Sequence, residues 1–150
     1  MSTIVLCSLL VLVVAIYVTL ACRCTPMTLL QAMCNPNTTV VLARVSDGQP
    51  HQVIDVEYRS YDLNVSRILK TEAKRSLTLD DNYGSLLFPA KVSDCGGILT
   101  DGLDYVIAGY ADINGELVSS HCYHYVPYEY LINDAYALRI LIGEGDCNNA

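Results

Sequence analysis

The feature that most constrains this chain is a set of six cysteines, Cys22, Cys24, Cys34, Cys95, Cys122 and Cys147, of which three crowd together and three lie far downstream. Their number is even, as a closed disulfide framework requires; a seventh, Cys7, falls inside an apolar leader. Cys22 and Cys24 are separated by one residue and make poor partners for each other. The economical arrangement therefore ties the N-terminal cluster to the three distal cysteines, while spacing alone leaves fifteen pairings open. Each such bridge closes a loop of many tens of residues and stabilises the fold by about 4 kcal/mol in the chain-entropy account. A structural zinc site is the competing use of cysteine. It wants paired ligands near C-x2-C or H-x3-H spacing, and Cys95 and Cys122 each stand alone.

The leader sets the compartment. Ile4 to Ala21 carries no charge and ends in Thr19-Leu20-Ala21, with small residues at the two positions a signal peptidase inspects. Cleavage after Ala21 is expected, making residues 1–21 a signal peptide and Cys22 the first residue of a secreted, extracellular chain. The alternative is an ectodomain that keeps the segment as a membrane anchor, at the short end of the roughly 17–25 residues a spanning helix needs. Composition agrees with secretion. A hydrophobic share of 52% excludes disorder, and 17% charged residues beside seven cysteines are unlike a cytosolic globule. A net charge of -7 without any Lys/Arg run argues against a nucleic-acid partner.

Past the leader the punctuation is that of a β protein with short helices. Thr25-Pro26 reads as an N-cap with proline at the first helical position, which predicts a helix over Pro26–Met33 ended by Asn35-Pro36-Asn37. The run from Thr38 to Val45 is β-branched and apolar, and Val53–Tyr58 and Tyr61–Ile68 alternate as half-buried strands do, as two long strands or one bent strand. Ser76–Leu79 and Ser85–Pro89 read as short barrel strands split by the turn residues Asp80, Asp81, Asn82 and Gly84. Tyr105–Ala111 and Glu116–Val126 flank Asn114-Gly115, the dipeptide best suited to a tight hairpin. After Pro127 the period changes: Asn133–Leu141 is a predicted helix capped by Asn133, with Asp134 near the positive end of its dipole and Gly143 past its end. Five or six short strands with peripheral helices in one domain predict a mainly β fold, a five-stranded Greek-key barrel of the oligonucleotide/oligosaccharide-binding type.

Chemistry-bearing residues are sparse. His121 and His124 have H-x2-H spacing, but on a strand residues three apart face opposite sides, so they read as ordinary strand histidines. Asp80 and Asp81 read as a solvated turn rather than an acid/base pair. There is no G-x-S-x-G serine and no phosphate-cradling glycine loop, so the sequence offers no enzyme constellation. Most of the eleven tyrosines, in a chain with no Trp and one Phe, are expected in the barrel's core and rim. Asn37-Thr38-Thr39 and Asn64-Val65-Ser66 match the N-glycosylation acceptor pattern at Asn37 and Asn64, consistent with secretion.

Five strings then acquire a common meaning: CRCTP at Cys22, QAMCN at Gln31–Asn35, SDCGG at Ser93–Gly97, DYVIAGYAD at Asp104–Asp112 and HCYHYVPY at His121–Tyr128. In order and spacing they resemble the N-terminal inhibitory domain of the tissue inhibitors of metalloproteinases, the netrin-like module, over residues 22–147, with a short tail at 148–150. The resemblance implies an oligonucleotide-binding-type barrel and the pairings Cys22 with Cys95, Cys24 with Cys122, and Cys34 with Cys147.

The resemblance also implies a mechanism. The α-amino nitrogen and carbonyl oxygen of Cys22 would chelate the catalytic zinc of a target protease, displacing its water from the open position such sites keep. Arg23 would enter the specificity pocket, and Cys24, Thr25, Ser93, Asp94 and Cys95 would line the contact ridge. On this reading the protein is a monomeric inhibitor without a cofactor of its own. Zinc enters only through its partner, an extracellular zinc metalloproteinase, with extracellular matrix as a further prospective partner and no membrane once the leader is removed. Two departures stand out. Arg23 replaces the small residue usual in the family, and a guanidinium in an apolar pocket without a partner is costly. The chain also stops three residues after Cys147, so functions of the second, C-terminal module of vertebrate members are not expected of it. The alternative function is a non-inhibitory netrin-like module that binds a receptor or matrix protein through its barrel face.

Overall fold

The apolar run that begins at Thr38 is continuous because its strand is buried on both faces. In the computed structural model, which describes residues 22–53, 56–143, 145 and 147, that run opens the strand Thr39–Val53 (β1). Val41, Ala43 and Val45 point into the barrel interior, whereas Val40 points outward beneath the helices. The strand Asp104–Ala111 (β4) is built the same way, with Tyr105 and Ile107 inside and Val106 and Ala108 outside. The leader read at residues 1–21 and the tail at 148–150 lie outside the described residues.

Among the described residues, six strands and three short α-helices follow in the order α1 (Leu29–Cys34), β1, β2 (Val56–Lys70), β3 (Tyr83–Pro89), β4, β5 (Leu117–Val118), β6 (Tyr125–Pro127), α2 (Tyr128–Leu131) and α3 (Ala135–Leu141). Pairings run β1-β2-β3-β5-β4, and β4 pairs back onto β1 from Thr39↔Gly109 to Arg44↔Asp104, so five strands close into a ring. The closing contact of β3 with β5 is parallel and only two pairs long, Leu86↔Leu117 and Leu87↔Val118. β6 adds to the edge of β4 beyond β5. This is the expected oligonucleotide-binding-type barrel with one extra short strand. Leu63, Val65, Leu86, Phe88 and Leu117 complete the interior, and α1 and α3 cover the outer face of β1 and β4 through Leu29, Leu30, Ala137, Ile140 and Leu141.

Several sequence expectations shift. The first helix starts at Leu29, not Pro26, because Thr28 forms a reciprocal capping box with Gln31: the Gln31 amide donates to the Thr28 hydroxyl at 3.2 Å, and the Thr28 amide donates to the Gln31 side chain at 3.0 Å. Asp134, not Asn133, caps α3, its carboxylate accepting from the amides of Tyr136 and Ala137. Val53 belongs to β1, and of the two alternatives Val56–Lys70 is the single strand; a bulge between Ser46 and Gln49, with Asp47 at φ 55°, bends β1 and lets the β1–β2 ribbon extend past the barrel. Ser76–Leu79 is no strand, although the Thr78 amide donates to the Gly115 carbonyl. The hairpin turn at Asn114-Gly115 is as read, with Gly115 at φ 81°. The strand expected over Glu116–Val126 instead breaks between β5 and β6 into a turn around Cys122.

Lys70, at the end of β2, secures the exit of α1. Its ammonium donates to the carbonyls of Ala32, Asn35 and Thr38 and to the Thr38 hydroxyl, where the helix leaves carbonyls without intrahelical donors. Leu117 is the inward residue of the two-residue β5 and is fully buried. Leu117→Ala is expected to cost about 2–5 kcal/mol of unfolding free energy in a denaturant titration. A loss under about 1 kcal/mol would show that the two-pair parallel contact does not hold the barrel closed.

Candidate functional site

Two disulfides converge on one edge of the barrel. Cys22 is bonded to Cys95 and Cys24 to Cys122, with Cα–Cα distances of 4.9 and 5.4 Å, while Cys34–Cys147 links the end of α1 to the chain beyond α3. These pairings coincide with those implied by the family resemblance. The two N-terminal bridges touch, Cys22 Sγ lying 3.3 Å from Cys24 Sγ. A two-residue step along an extended chain therefore carries two anchors, and the residues beside them, Arg23 and Thr25, are left exposed.

The receiving side is built by two turns. Pro89 leads into a single 3₁₀ turn at Val92–Asp94, and Cys95 closes it in the left-handed region at φ 61°. The amides of Gly96 and Gly97 donate back to the carbonyls of Lys91 and Pro89, each at 2.9 Å. This fold-back explains the SDCGG string, since a Cβ on Gly96 would run into the Pro89 carbonyl. The second turn carries Cys122. Its neighbour His121 donates its backbone N–H to the Cys95 carbonyl at 2.6 Å, and the Cys122 carbonyl accepts from the Met27 amide at 3.1 Å. Below them the Tyr125 hydroxyl lies 2.7 Å from His121 Nδ1, and Phe88 meets the Tyr125 ring edge-on at 5.1 Å. The buried interior thus supports both turns from beneath.

On the surface the arrangement is a ridge. Ser93 and Asp94 are exposed beside Cys95, so the structure brings Cys22–Thr25 and Ser93–Cys95 together as the sequence reading grouped them. That reading missed Val92 and Ile98, which are 68% and 75% exposed at either end of the second segment. The signal that could have found them is position, since both flank a string of turn residues rather than a periodic run. The β1–β2 ribbon leans on the same edge: the Ala90 amide donates to the Glu57 carbonyl at 2.8 Å, and Lys91 Nζ lies 3.1 Å from Glu57 Oε2, an exposed ion pair of small energetic weight.

Neither His121 nor His124 lies on a strand, contrary to expectation; His121 is in the turn that carries Cys122, and His124 lies between that turn and β6. His124 is largely buried with Nε2 unpaired, and burial pushes its pKa below the ordinary 6.5 against the opposing effect of a hydrogen bond to the Met27 backbone. Asp80 and Asp81 form a turn as read, Asp81 and Asn82 taking positive φ. Of the two sequons, Asn37 is exposed in the turn after α1, and Asn64 is exposed on β2 with its Nδ2 3.5 Å from the Tyr83 hydroxyl.

Two outcomes are expected of this edge. Gly96→Ala forces the fold-back apart and should cost about 1–3 kcal/mol of stability in a thermal or denaturant melt; an unchanged midpoint would mean that Pro89 yields freely. The folded state holds His124 neutral more strongly than the unfolded chain does, so the unfolded chain binds more protons just below the ordinary histidine pKa. Stability should therefore fall as pH drops from about 6.5 toward the lowered folded value, and His124→Gln should flatten that slope. An equal slope in the variant would assign the effect elsewhere.

Comparison with known proteins agrees with this geometry. The family model described as tissue inhibitor of metalloproteinase matches residues 20–137, a span that includes both ridge segments and every strand. No curated protein sequence matches the chain. Among the described residues no helix is long and apolar enough to cross a membrane. Members of the matched family are secreted proteins that bind and inhibit metalloproteinases, and they are inhibitors rather than enzymes. With most of its length covered by that match, the chain belongs to the tissue inhibitor of metalloproteinase family.

Proposed function

We propose that the protein inhibits a zinc metalloendopeptidase by placing the α-amine and carbonyl oxygen of Cys22 on the protease's catalytic zinc. One observation carries this reading: Cys22 and Cys24 are both bonded to the barrel while Arg23 and Thr25 stay exposed, with exposed Val92, Ser93 and Asp94 alongside. A chelating group held this way loses little freedom on docking, so little of its binding free energy is spent on ordering. Cleavage after Ala21 is part of the proposal, because an amide nitrogen cannot serve where a free amine with a pKa of about 8 can give up its proton to bind metal. A catalytic zinc has a position open for such ligands. The inhibitor needs no cofactor of its own; the metal belongs to the target.

Arg23 sets the choice of target on this reading. Its guanidinium would enter the protease's specificity pocket, where an apolar wall penalises an unpaired charge and a carboxylate at the pocket's end rewards it with a charge-assisted bond. The target is therefore a metallopeptidase with a deep or acidic pocket. Ser93, Asp94 and Thr25 would flank the contact, and glycans at Asn37 or Asn64 would lie outside it.

The test is inhibition of a panel of zinc endopeptidases by the secreted protein, by a form with one alanine added before Cys22, and by Arg23→Thr. Native protein is expected to inhibit at least one enzyme, the extended form to lose at least about 100-fold in affinity, equal to about 2.7 kcal/mol, and Arg23→Thr to shift preference toward apolar pockets. Equal potency of the native and extended forms would remove the amine from the mechanism and favour the non-inhibitory binding module.

A further inference from the structure

The sulfurs of the two ridge disulfides form a compact cluster, with Cys22, Cys24, Cys95 and Cys122 Sγ all within 4.8 Å of one another. Apart from the two covalent pairs, Cys22 Sγ lies 3.3 Å from Cys24 Sγ and 3.9 Å from Cys122 Sγ, and Cys24 Sγ lies 3.9 Å from Cys95 Sγ. A tetrahedral zinc tetrathiolate with Zn–S bonds of about 2.3 Å has S···S edges of about 3.8 Å. Three edges of the cluster are already near that length, and breaking the two disulfides frees two more to open to it. We propose that, when both ridge disulfides are reduced, these four cysteines form a tetrathiolate site for a thiophilic divalent cation of the zinc class.

Along the chain Cys95 and Cys122 each stand alone, a spacing that by itself disfavours zinc. The fold supplies the missing pairing by bringing two turns against the C-x-C segment. Hydrogen bonds as well as the disulfides hold those turns. The Cys95 amide donates to the Val92 carbonyl at 3.1 Å and its carbonyl accepts from His121; the Cys122 amide donates to the Ser120 hydroxyl at 3.2 Å and its carbonyl accepts from Met27. Cys34–Cys147 lies apart from the cluster and links other elements. All four cluster cysteines are partly exposed, so a reductant and a hydrated ion both have access.

The chemistry balances with a dithiol or phosphine as the named reductant. Each disulfide takes up two electrons and two protons to give two thiols, while a dithiol is oxidised to its own disulfide or a phosphine to its oxide, water supplying the oxygen. Metal binding then releases the thiol protons, because thiolate is the ligand. The Cys22 sulfur passes from Cys95 to the metal, so redox state and metal supply together set the geometry of the N-terminal segment.

The test uses the purified, oxidised protein, reduced anaerobically with a phosphine and titrated with Co2+ as the probe. Expected are thiolate-to-cobalt charge-transfer and tetrahedral ligand-field bands that saturate at a single equivalent, while the near-ultraviolet dichroism of the tyrosines stays that of the oxidised protein. Cys34→Ser/Cys147→Ser should give the same bands. Cys24→Ser/Cys122→Ser, which keeps the Cys22–Cys95 pair, should lose the tetrathiolate spectrum. Absence of tetrahedral bands in the parent protein, bands undiminished in Cys24→Ser/Cys122→Ser, or bands that arise only as the tyrosine dichroism is lost would each overturn the proposal.

Discussion

The structure depends on two bridges that meet. Cys22–Cys95 and Cys24–Cys122 fix the segment Cys22–Thr25 against two turns that the barrel itself shapes. Without them that segment would have no covalent tie to the barrel edge. With them, two anchors one residue apart leave the intervening backbone almost no freedom. The sequence separations of 73 and 98 mean that the constraint also reaches through most of the domain, restricting the unfolded chain as well as the folded one.

The barrel is arranged to meet this demand. β4 is buried on both faces and paired on both edges, to β1 on one side and to β5 and β6 on the other. The interruption between β5 and β6 is what carries Cys122 out to the ridge, and Ser119 marks the departure: it is buried, its hydroxyl donating to the Ala108 carbonyl at 2.6 Å and its amide to Leu87 at 3.1 Å. On the other side the fold-back at Gly96 brings Cys95 to the same place. Phe88 and Tyr125 link both turns to the interior, so the position of the ridge follows from core packing and not from loop preference.

Much of this was legible in the sequence, for physical reasons that differ from part to part. Strands with two buried faces announce themselves as unbroken apolar runs, as Val40–Ala43 and Tyr105–Ala111 do. The Asn114-Gly115 turn is a matter of local backbone chemistry and reads directly. Helix starts were misplaced by a few residues because competing caps lie close together: Thr25 and Thr28, Asn133 and Asp134 are each chemically suitable, and packing together with the reciprocal Gln31 bond decides. The strand break before Cys122 could not be read locally, since the backbone partners of the turn there, the Cys95 carbonyl for the His121 amide and the Met27 amide for the Cys122 carbonyl, come from segments distant in sequence. The short helix α2 (Tyr128–Leu131) was likewise hidden by its length. Of the ridge, the cysteines and SDCGG were visible as a pattern, whereas Val92 and Ile98 were not, because an apolar side chain in sequence does not say whether water or protein will face it.

The central claim is that this disulfide-held edge exists to present one backbone nitrogen and one carbonyl oxygen to a metal in another protein. The most direct measurement is the crystal structure of the secreted protein in complex with a metalloproteinase catalytic domain that it inhibits. The account predicts the Cys22 α-nitrogen and carbonyl oxygen on the zinc at about 2.0–2.2 Å, in place of its water. A zinc that retains its water, with Cys22 away from it, would contradict the account.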